Sequence, residues 1–162
     1  MTYATPAAAA PAVSNEEILA VLAPLRSLEG PLLPMLHALQ AAFGYVPEAA
    51  HSVLTSALGT TRAELHGVLS FYHDFRDMPA GRHVLKICRA EACQAMGGAE
   101  TAEELLRRLG LEWHATTQGG GVTIEPVYCL GLCACAPAAM LDEQPLARVD
   151  ADGLQRLIEE CR

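Results

Sequence analysis

Two pairs of cysteines constrain this chain more than any other feature of its sequence. The first pair lies in CRAEAC and the second in CLGLC, and together they are Cys88, Cys93, Cys129 and Cys133. The apolar, partly β-branched segments 83–88 and 122–128 predict a strand that ends at the start of each pair. If both strands belong to one sheet, four sulfur atoms converge at one edge and form a cage for a metal.

The spacing within the pairs leaves three explanations open. A single zinc ion takes four sulfur ligands, usually with two to four residues between paired cysteines. A [2Fe–2S] cluster also takes four cysteines, and the wider loops suit its longer core. The third explanation is unrelated or bridged cysteines. A Rieske centre, a plant-type ferredoxin and a redox dithiol are not indicated, because the chain has no matching C-x-H, C-x4-C-x2-C or C-x-x-C pattern.

Composition and charge narrow the class of protein further. The N-terminal residues 1–14 contain no Lys or Arg and carry Pro6 and Pro11, which is not typical of an export signal, so we expect reduced thiols and a cytoplasmic location. A formal net charge of −8 disfavours a nucleic-acid partner. No apolar run approaches the roughly 20 residues of a membrane span. The six histidines share no ligand spacing, and no catalytic arrangement stands out.

The first half of the chain predicts a helical domain over 14–78, after a flexible tail over 1–13. Capping boxes at Ser14 and Thr61 predict the starts of two helices. Apolar residues at helical spacing predict two more, over about 31–43 and 47–58. We therefore expect a segment of four helices.

The second half, 79–162, predicts a small sheet with helices packed on it. Its predicted elements are strands over 83–88, 111–117, 122–128, 138–142 and 146–149 and helices over 98–109 and 151–161. This order is typical of an α/β domain with a small mixed sheet.

Positive charge is expected near the cysteines. The N–H groups of 96–98 open a predicted helix, whose dipole favours negative charge nearby. Arg82, Lys86 and Arg89 add basic side chains. The remaining thiols, Cys135 and Cys161, are interpreted as small packing residues.

Several features of the chain together resemble the thioredoxin-like [2Fe–2S] subunit family. They are the two cysteine pairs, Pro137, and the segments LLPMLHALQAAFGYVPEAA at 32–50 and HGVLSFYHDFR at 66–76. That family includes the small NADH-side subunit of complex I and its equivalents in NAD-reducing hydrogenases and formate dehydrogenases. The resemblance implies a helical bundle followed by a thioredoxin-like domain. It also implies four cluster ligands, namely Cys88, Cys93, Cys129 and Cys133. Cys135 departs from the family's usual pattern.

The segment SFYHDFR at 70–76 is most similar to the gamma subunit of NAD-dependent, molybdenum-containing formate dehydrogenases. This implies a flavoprotein partner that holds FMN and binds NAD, and a large subunit with the molybdenum cofactor and further Fe–S clusters. The isolated chain is then an electron carrier without substrate turnover. The alternatives are the equivalent subunit of complex I or of a hydrogenase, a zinc-stabilised adaptor, and a stand-alone ferredoxin.

Overall fold

The computed structural model describes residues 12–161, which form two compact units, 12–79 and 80–161. Most of the predicted tail, residues 1–13, lies outside this described part. None of the helices within residues 12–161 combines the length and the apolar composition that crossing a bilayer requires.

Four α-helices build the first unit, as the sequence predicts. They are α1 (Asn15–Leu22), α2 (Leu32–Phe43), α3 (Glu48–Leu58) and α4 (Arg62–Phe71), and a short 3-10 turn, Ala23–Leu25, follows α1. Both predicted capping boxes are confirmed: Ser14 and Thr61 each accept a hydrogen bond from the backbone N–H three residues on. The apolar stripes of the four helices meet in one core that includes Ile18, Leu36 and Leu54.

A side-chain clamp joins two distant segments of this helical unit. The amide of Gln40 donates to the carbonyl oxygen of Asp74 at 2.7 Å and accepts from the N–H of Arg76 at 2.8 Å. The N–H of Val46 donates to the carbonyl oxygen of Arg76 at 2.8 Å. These bonds fix the loop after α4 against the end of α2 and the start of α3.

The second unit confirms the α/β class and the mixed sheet. Its strands are β1 (His83–Cys88), β2 (Val122–Val127), β3 (Ala138–Leu141) and β4 (Gln144–Ala147), and its helices are α5 (Glu91–Ala95), α6 (Gly98–Leu109) and α7 (Ala151–Glu160). The spatial order is β2-β1-β3-β4. Strand β1 pairs with β2 in parallel and with β3 antiparallel, and β3 pairs antiparallel with β4.

The core of this unit lies where α6 and α7 cover the sheet. Leu85 of β1 and Ile124 of β2 are fully buried, as are Leu105 of α6 and Ile158 of α7. Burial of each such side chain is worth roughly 1.5–3 kcal/mol. This packing holds β1 and β2 side by side, which matters for the cysteines that follow them.

The predicted strand over 111–117 is wrong. His114 has φ of 65°, and the N–H of Ala115 donates back to the carbonyl oxygen of Glu112 at 3.2 Å, so the chain makes a turn there. The segment still pairs with β2 irregularly, through an isolated bridge between Thr116 and Thr123 and through backbone hydrogen bonds on either side of it, such as that from the N–H of Thr117 to the carbonyl oxygen of Val122 at 2.9 Å. The turn breaks the extended backbone that the residue types suggested.

Helix α5 was not predicted from the sequence. The backbone of α5 and the first residue of α6 lie in very close contact. A Cβ atom at Gly98, the first residue of α6, would lie 2.6 Å from the carbonyl oxygen of Cys93 in α5. Real side chains do not tolerate such a contact with backbone. Gly98 therefore allows α6 to begin directly over Cys93.

Gly98→Ala should destabilise the chain by about 1–3 kcal/mol, because the added methyl group overpacks a rigid backbone contact. Gly67→Ala in α4 is the matched control, since a Cβ there meets nothing within 4 Å. It should stabilise by about 0.5–1 kcal/mol, because alanine favours the helix interior more than glycine. Urea unfolding followed by circular dichroism measures both, and equal effects of the two substitutions would contradict the packing argument.

Candidate metal centre

The parallel pairing of β1 with β2 places the two cysteine pairs at the same edge of the sheet. Cys88 is the last residue of β1 and lies opposite Val127, the last residue of β2. The N–H of Arg89 continues the pairing by donating to the carbonyl oxygen of Val127 at 2.8 Å. Cys129 follows two residues later. The segments after both strands therefore start side by side.

The first pair is buried at this edge. Cys88 is 3% exposed and Cys93, in α5, is 2% exposed. The two thiols are hydrogen-bonded to each other. Ala136 and Ala138 are buried with them, and Leu130 and Leu132 pack against the group. An apolar wall thus surrounds this pair of sulfur atoms.

The second pair is exposed and lies on a tight loop. Cys129 has φ of 100°, and the N–H of Gly131 points at the Sγ of Cys129 at 3.4 Å. Cys133 begins a 3-10 turn, Cys133–Cys135. The thiols of Cys129 and Cys133 are also hydrogen-bonded to each other.

Backbone N–H groups from both loops converge on Cys88. Burial alone raises the pKa of this thiol, but the N–H of Ala90, the thiol of Cys93 and the N–H groups of Leu130 and Cys129 together bring the pKa below its usual value. The loop of the second pair thus supplies hydrogen bonds to a sulfur atom of the first pair. Cys88 is adapted to carry negative charge in spite of its burial.

The other thiols show that the two pairs lie close enough to influence each other. Burial raises the pKa of Cys93, and so do its hydrogen bond to Cys88 and the negative charges of Cys88 and Cys133. The charge of Cys129 raises the pKa of Cys133, as do their hydrogen bond, partial burial and the charge of Cys88. The thiols of the two loops therefore lie close enough together for a positively charged metal group to neutralise their combined negative charge.

These thiols have the number and the grouping that a [2Fe–2S] cluster needs. Within residues 12–161, no three His, Cys, Asp or Glu side chains are gathered tightly enough to hold one ion. The four thiols form two hydrogen-bonded pairs instead, one in each loop. A [2Fe–2S] cluster binds through four thiolates, two on each iron, so the observed two-plus-two arrangement suits it.

Two of the charge features expected from the sequence differ, wholly or in part, from what the structure shows. Arg82 donates to the carbonyl oxygen of Gly119 at 3.0 Å, at the start of β1 and so at the opposite edge of the sheet. The N–H groups of Met96 and Gly97 donate to the carbonyl oxygens of Cys93 and Gln94, so they finish α5. The expectation for Arg82 was wrong, because sequence proximity does not reveal which end of a strand a side chain occupies. The expectation for 96–98 is confirmed only in part, since α6 begins at Gly98, next to Cys93.

Arg89 and Lys86 have different surroundings. The guanidinium of Arg89, next to Cys88, lies 5.3 Å from the ring centroid of Trp113, a cation–π distance. Lys86 is half-buried within β1. Neither arrangement was visible in the sequence, because Trp113 is distant along the chain from Arg89.

The two remaining cysteines, Cys135 and Cys161, have surroundings that suit a role in the fold. Cys135 ends the 3-10 turn, where its N–H donates to the carbonyl oxygen of Leu132 and its carbonyl oxygen accepts from Arg148. Cys161 packs against the core under the sheet. The sequence reasoning missed the backbone donors of Ala90 and Leu130, and its one available signal was the glycine at the centre of CLGLC.

Comparisons with known proteins identify the family of this chain. The profile of the thioredoxin-like [2Fe–2S] ferredoxin family matches residues 18–162. The chain is 34% identical over 116 residues to a component of the NADH-quinone oxidoreductase of Pseudomonas aeruginosa, covering 72% of this chain and 70% of that protein. It is 27% identical over 144 residues to the HndA component of the NADP-reducing hydrogenase of Solidesulfovibrio fructosivorans, covering 89% and 84%.

A solved structure extends the likeness to the fold. The air-oxidized NAD+-reducing [NiFe]-hydrogenase matches with a TM-score of 0.64 and 25% identity over 80% of this chain. The match spans only 22% of the hydrogenase chain, so this chain is similar to one part of it. With a profile match over most of its length, this chain belongs to the thioredoxin-like [2Fe–2S] ferredoxin family, whose cofactor the two pairs of thiols fit.

Proposed function

We propose that this chain is the [2Fe–2S] electron-transfer subunit of an NAD-linked oxidoreductase. The proposed ligands of the cluster are Cys88, Cys93, Cys129 and Cys133. The observation that carries the proposal is the meeting of these four thiols, from two distant loops, at one edge of the sheet. When bound, the cluster supplies a store for one electron. The proposal takes 79–162 as the cluster domain and 14–78 as a separate helical domain.

The surrounding residues support a role in electron transfer. Cys88 and Cys93 lie against apolar side chains that exclude water from one side of the site. Cys129 and Cys133 are exposed, so the opposite side is open to a partner. We infer that electrons enter and leave through the exposed pair, because electron transfer requires close approach.

The proposed partner is a flavoprotein subunit that holds FMN and binds NAD(H). The names of the similar proteins support this, since they describe an NADH-quinone oxidoreductase, an NADP-reducing hydrogenase and an NAD+-reducing hydrogenase. A nicotinamide exchanges a hydride, which carries two electrons, and a flavin converts between that hydride and single electrons. In this proposal the chain exchanges single electrons with the flavin, turns over no substrate itself and works in the cytoplasm.

Within this class we propose the gamma subunit of a NAD-dependent, molybdenum-containing formate dehydrogenase. The support is the resemblance of SFYHDFR at 70–76. A large subunit would then carry the molybdenum cofactor and further Fe–S clusters. The second candidate is the equivalent subunit of an NADH-quinone oxidoreductase or a hydrogenase, which the similarity to those proteins favours.

Replacing a proposed ligand should remove or distort the cluster. We expect Cys129→Ser and Cys133→Ser to lose most of the visible absorbance and to alter the EPR signal of the reduced chain, because serine is a poorer ligand for iron. Cys135→Ser is the matched control, two residues from Cys133, and should keep both signals. Iron and sulfide analysis of each purified full-length variant checks the loss.

Three outcomes would contradict the ligand assignment or the function. Loss of the cluster in Cys135→Ser would move one ligand to Cys135. A colourless wild-type chain that contains zinc and gives no EPR signal on reduction would favour the zinc-stabilised adaptor. A chain that purifies from its own cells as a free monomer would favour a stand-alone ferredoxin.

Purification of the native complex tests the identity of the assembly. We expect the chain to copurify with an FMN-containing subunit and with a molybdenum-containing subunit, and the complex to reduce NAD+ when formate is added. Metal analysis and the formate-dependent appearance of NADH absorbance measure this. Copurification with quinone-reducing or hydrogen-oxidising subunits, without molybdenum, would select the second candidate instead.

A further inference from the structure

The loop 129–131 presents three successive backbone N–H groups to sulfur atoms. Those of Cys129 and Leu130 donate to the thiol of Cys88. The third, from Gly131, lies 3.4 Å from the Sγ of Cys129. Successive N–H groups turned to one side form a concave site for negative charge, a geometry that recurs at Fe–S sites. The loop therefore acts on one sulfur atom of each pair.

The backbone of this loop adopts a conformation that most residues avoid. Cys129 has φ of 100° and Gly131 has φ of 75°. Residues with a Cβ are strained in this region by about 1–3 kcal/mol, whereas glycine is not. Cys129 tolerates the strain at a position where its thiol is needed. Gly131 provides the second left-handed residue without strain.

The conformation of Gly131 controls where its N–H points. The loop is anchored on one side by Val127, in β2, and on the other by Cys133, in the 3-10 turn. Because both ends are fixed, a negative φ at Gly131 requires the preceding peptide plane to rotate. That rotation turns the N–H of Gly131 away from Cys129, and it shifts the neighbouring N–H of Leu130.

We propose that Gly131 is a positioning residue that raises the reduction potential of the cluster by holding these N–H groups against the cysteine sulfur atoms. This inference rests on the proposed ligand set. Reduction adds one negative charge to a cluster whose thiolates are already negative. Hydrogen bonds to the sulfur atoms stabilise the reduced form more than the oxidised form, so their loss lowers the potential.

Gly131 is well suited to a test because it is exposed and an added Cβ would meet nothing within 4 Å. A substitution there changes the preferred φ without a steric clash of its Cβ atom. Valine disfavours positive φ strongly, because it is β-branched. Asparagine is of similar size and tolerates the left-handed region. The two variants therefore separate backbone conformation from side-chain bulk.

The experiment compares the midpoint potential of the cluster in the full-length chain and its variants, with iron and sulfide content measured in each. Gly131→Val should shift the potential to a more negative value at unchanged iron content, and Gly131→Asn should stay close to the wild type. Gly110→Val is the matched control in the same unit, at a glycine with φ of 64° and an equally open Cβ position. It should destabilise the fold but leave the potential unchanged.

A wild-type potential in Gly131→Val, or an equal shift in Gly131→Asn, would overturn the inference while leaving the proposed function intact. If Gly131→Val does not retain iron, Gly131→Ala replaces it and should shift the potential in the same direction. A wild-type chain that binds no iron and sulfide would instead overturn the proposed function, so the two failures are distinguishable.

Discussion

The parallel pairing of β1 with β2 is the constraint on which the site depends. It aligns Cys88 with Val127, so the loops with the two cysteine pairs leave the sheet at the same edge. In an antiparallel arrangement the same loops would leave opposite edges, separated by a strand of six residues, or roughly 20 Å. Parallel neighbours need a crossover connection, which α5 and α6 provide here. The packing of α6 on the sheet is thus a requirement of the metal centre.

The two cysteine pairs differ in the way they accommodate negative charge. Water stabilises the exposed pair, whereas the buried pair depends on hydrogen bonds, because an uncompensated buried charge is costly. Cys88 shows the compensation, since three N–H groups and a thiol outweigh its burial. Two of those N–H groups come from the loop of the exposed pair. The exposed loop therefore stabilises the buried sulfur as well as supplying its own thiols.

Local sequence signals predicted the helices and failed where distant residues decide the structure. The capping boxes at Ser14 and Thr61 involve residues three positions apart, so the helix starts were readable. The hydrogen bonds from N–H groups of one loop to Cys88 in another depend on how the sheet pairs its strands. They could therefore not be predicted from the sequence. Helix α5 has only five residues, too few for a periodic pattern to appear.

The same limit applies to side-chain positions and to turns. Arg82 is only six residues from Cys88 in the sequence, yet an extended strand places it at the opposite edge of the sheet. The turn at His114 interrupts residue types that favour a strand. The sequence predicted the convergence of the four cysteines only on the condition that both strands belong to one sheet. The parallel pairing of β1 with β2 and the register of that pairing meet this condition.

The identity of the complex has to reside outside the metal centre, because the same pairs of thiols suit every assembly considered. Four residues of the segment SFYHDFR have two different kinds of surroundings. The backbone of Asp74 and of Arg76 is bound by the side chain of Gln40, which fixes this part of the segment within the helical unit. Phe71 is 73% exposed and Tyr72 is 43% exposed, with their rings in edge contact, so burial in this unit does not explain them. Since exposed aromatic residues are typical of protein interfaces, we expect the assemblies to differ at such positions rather than at the clamp.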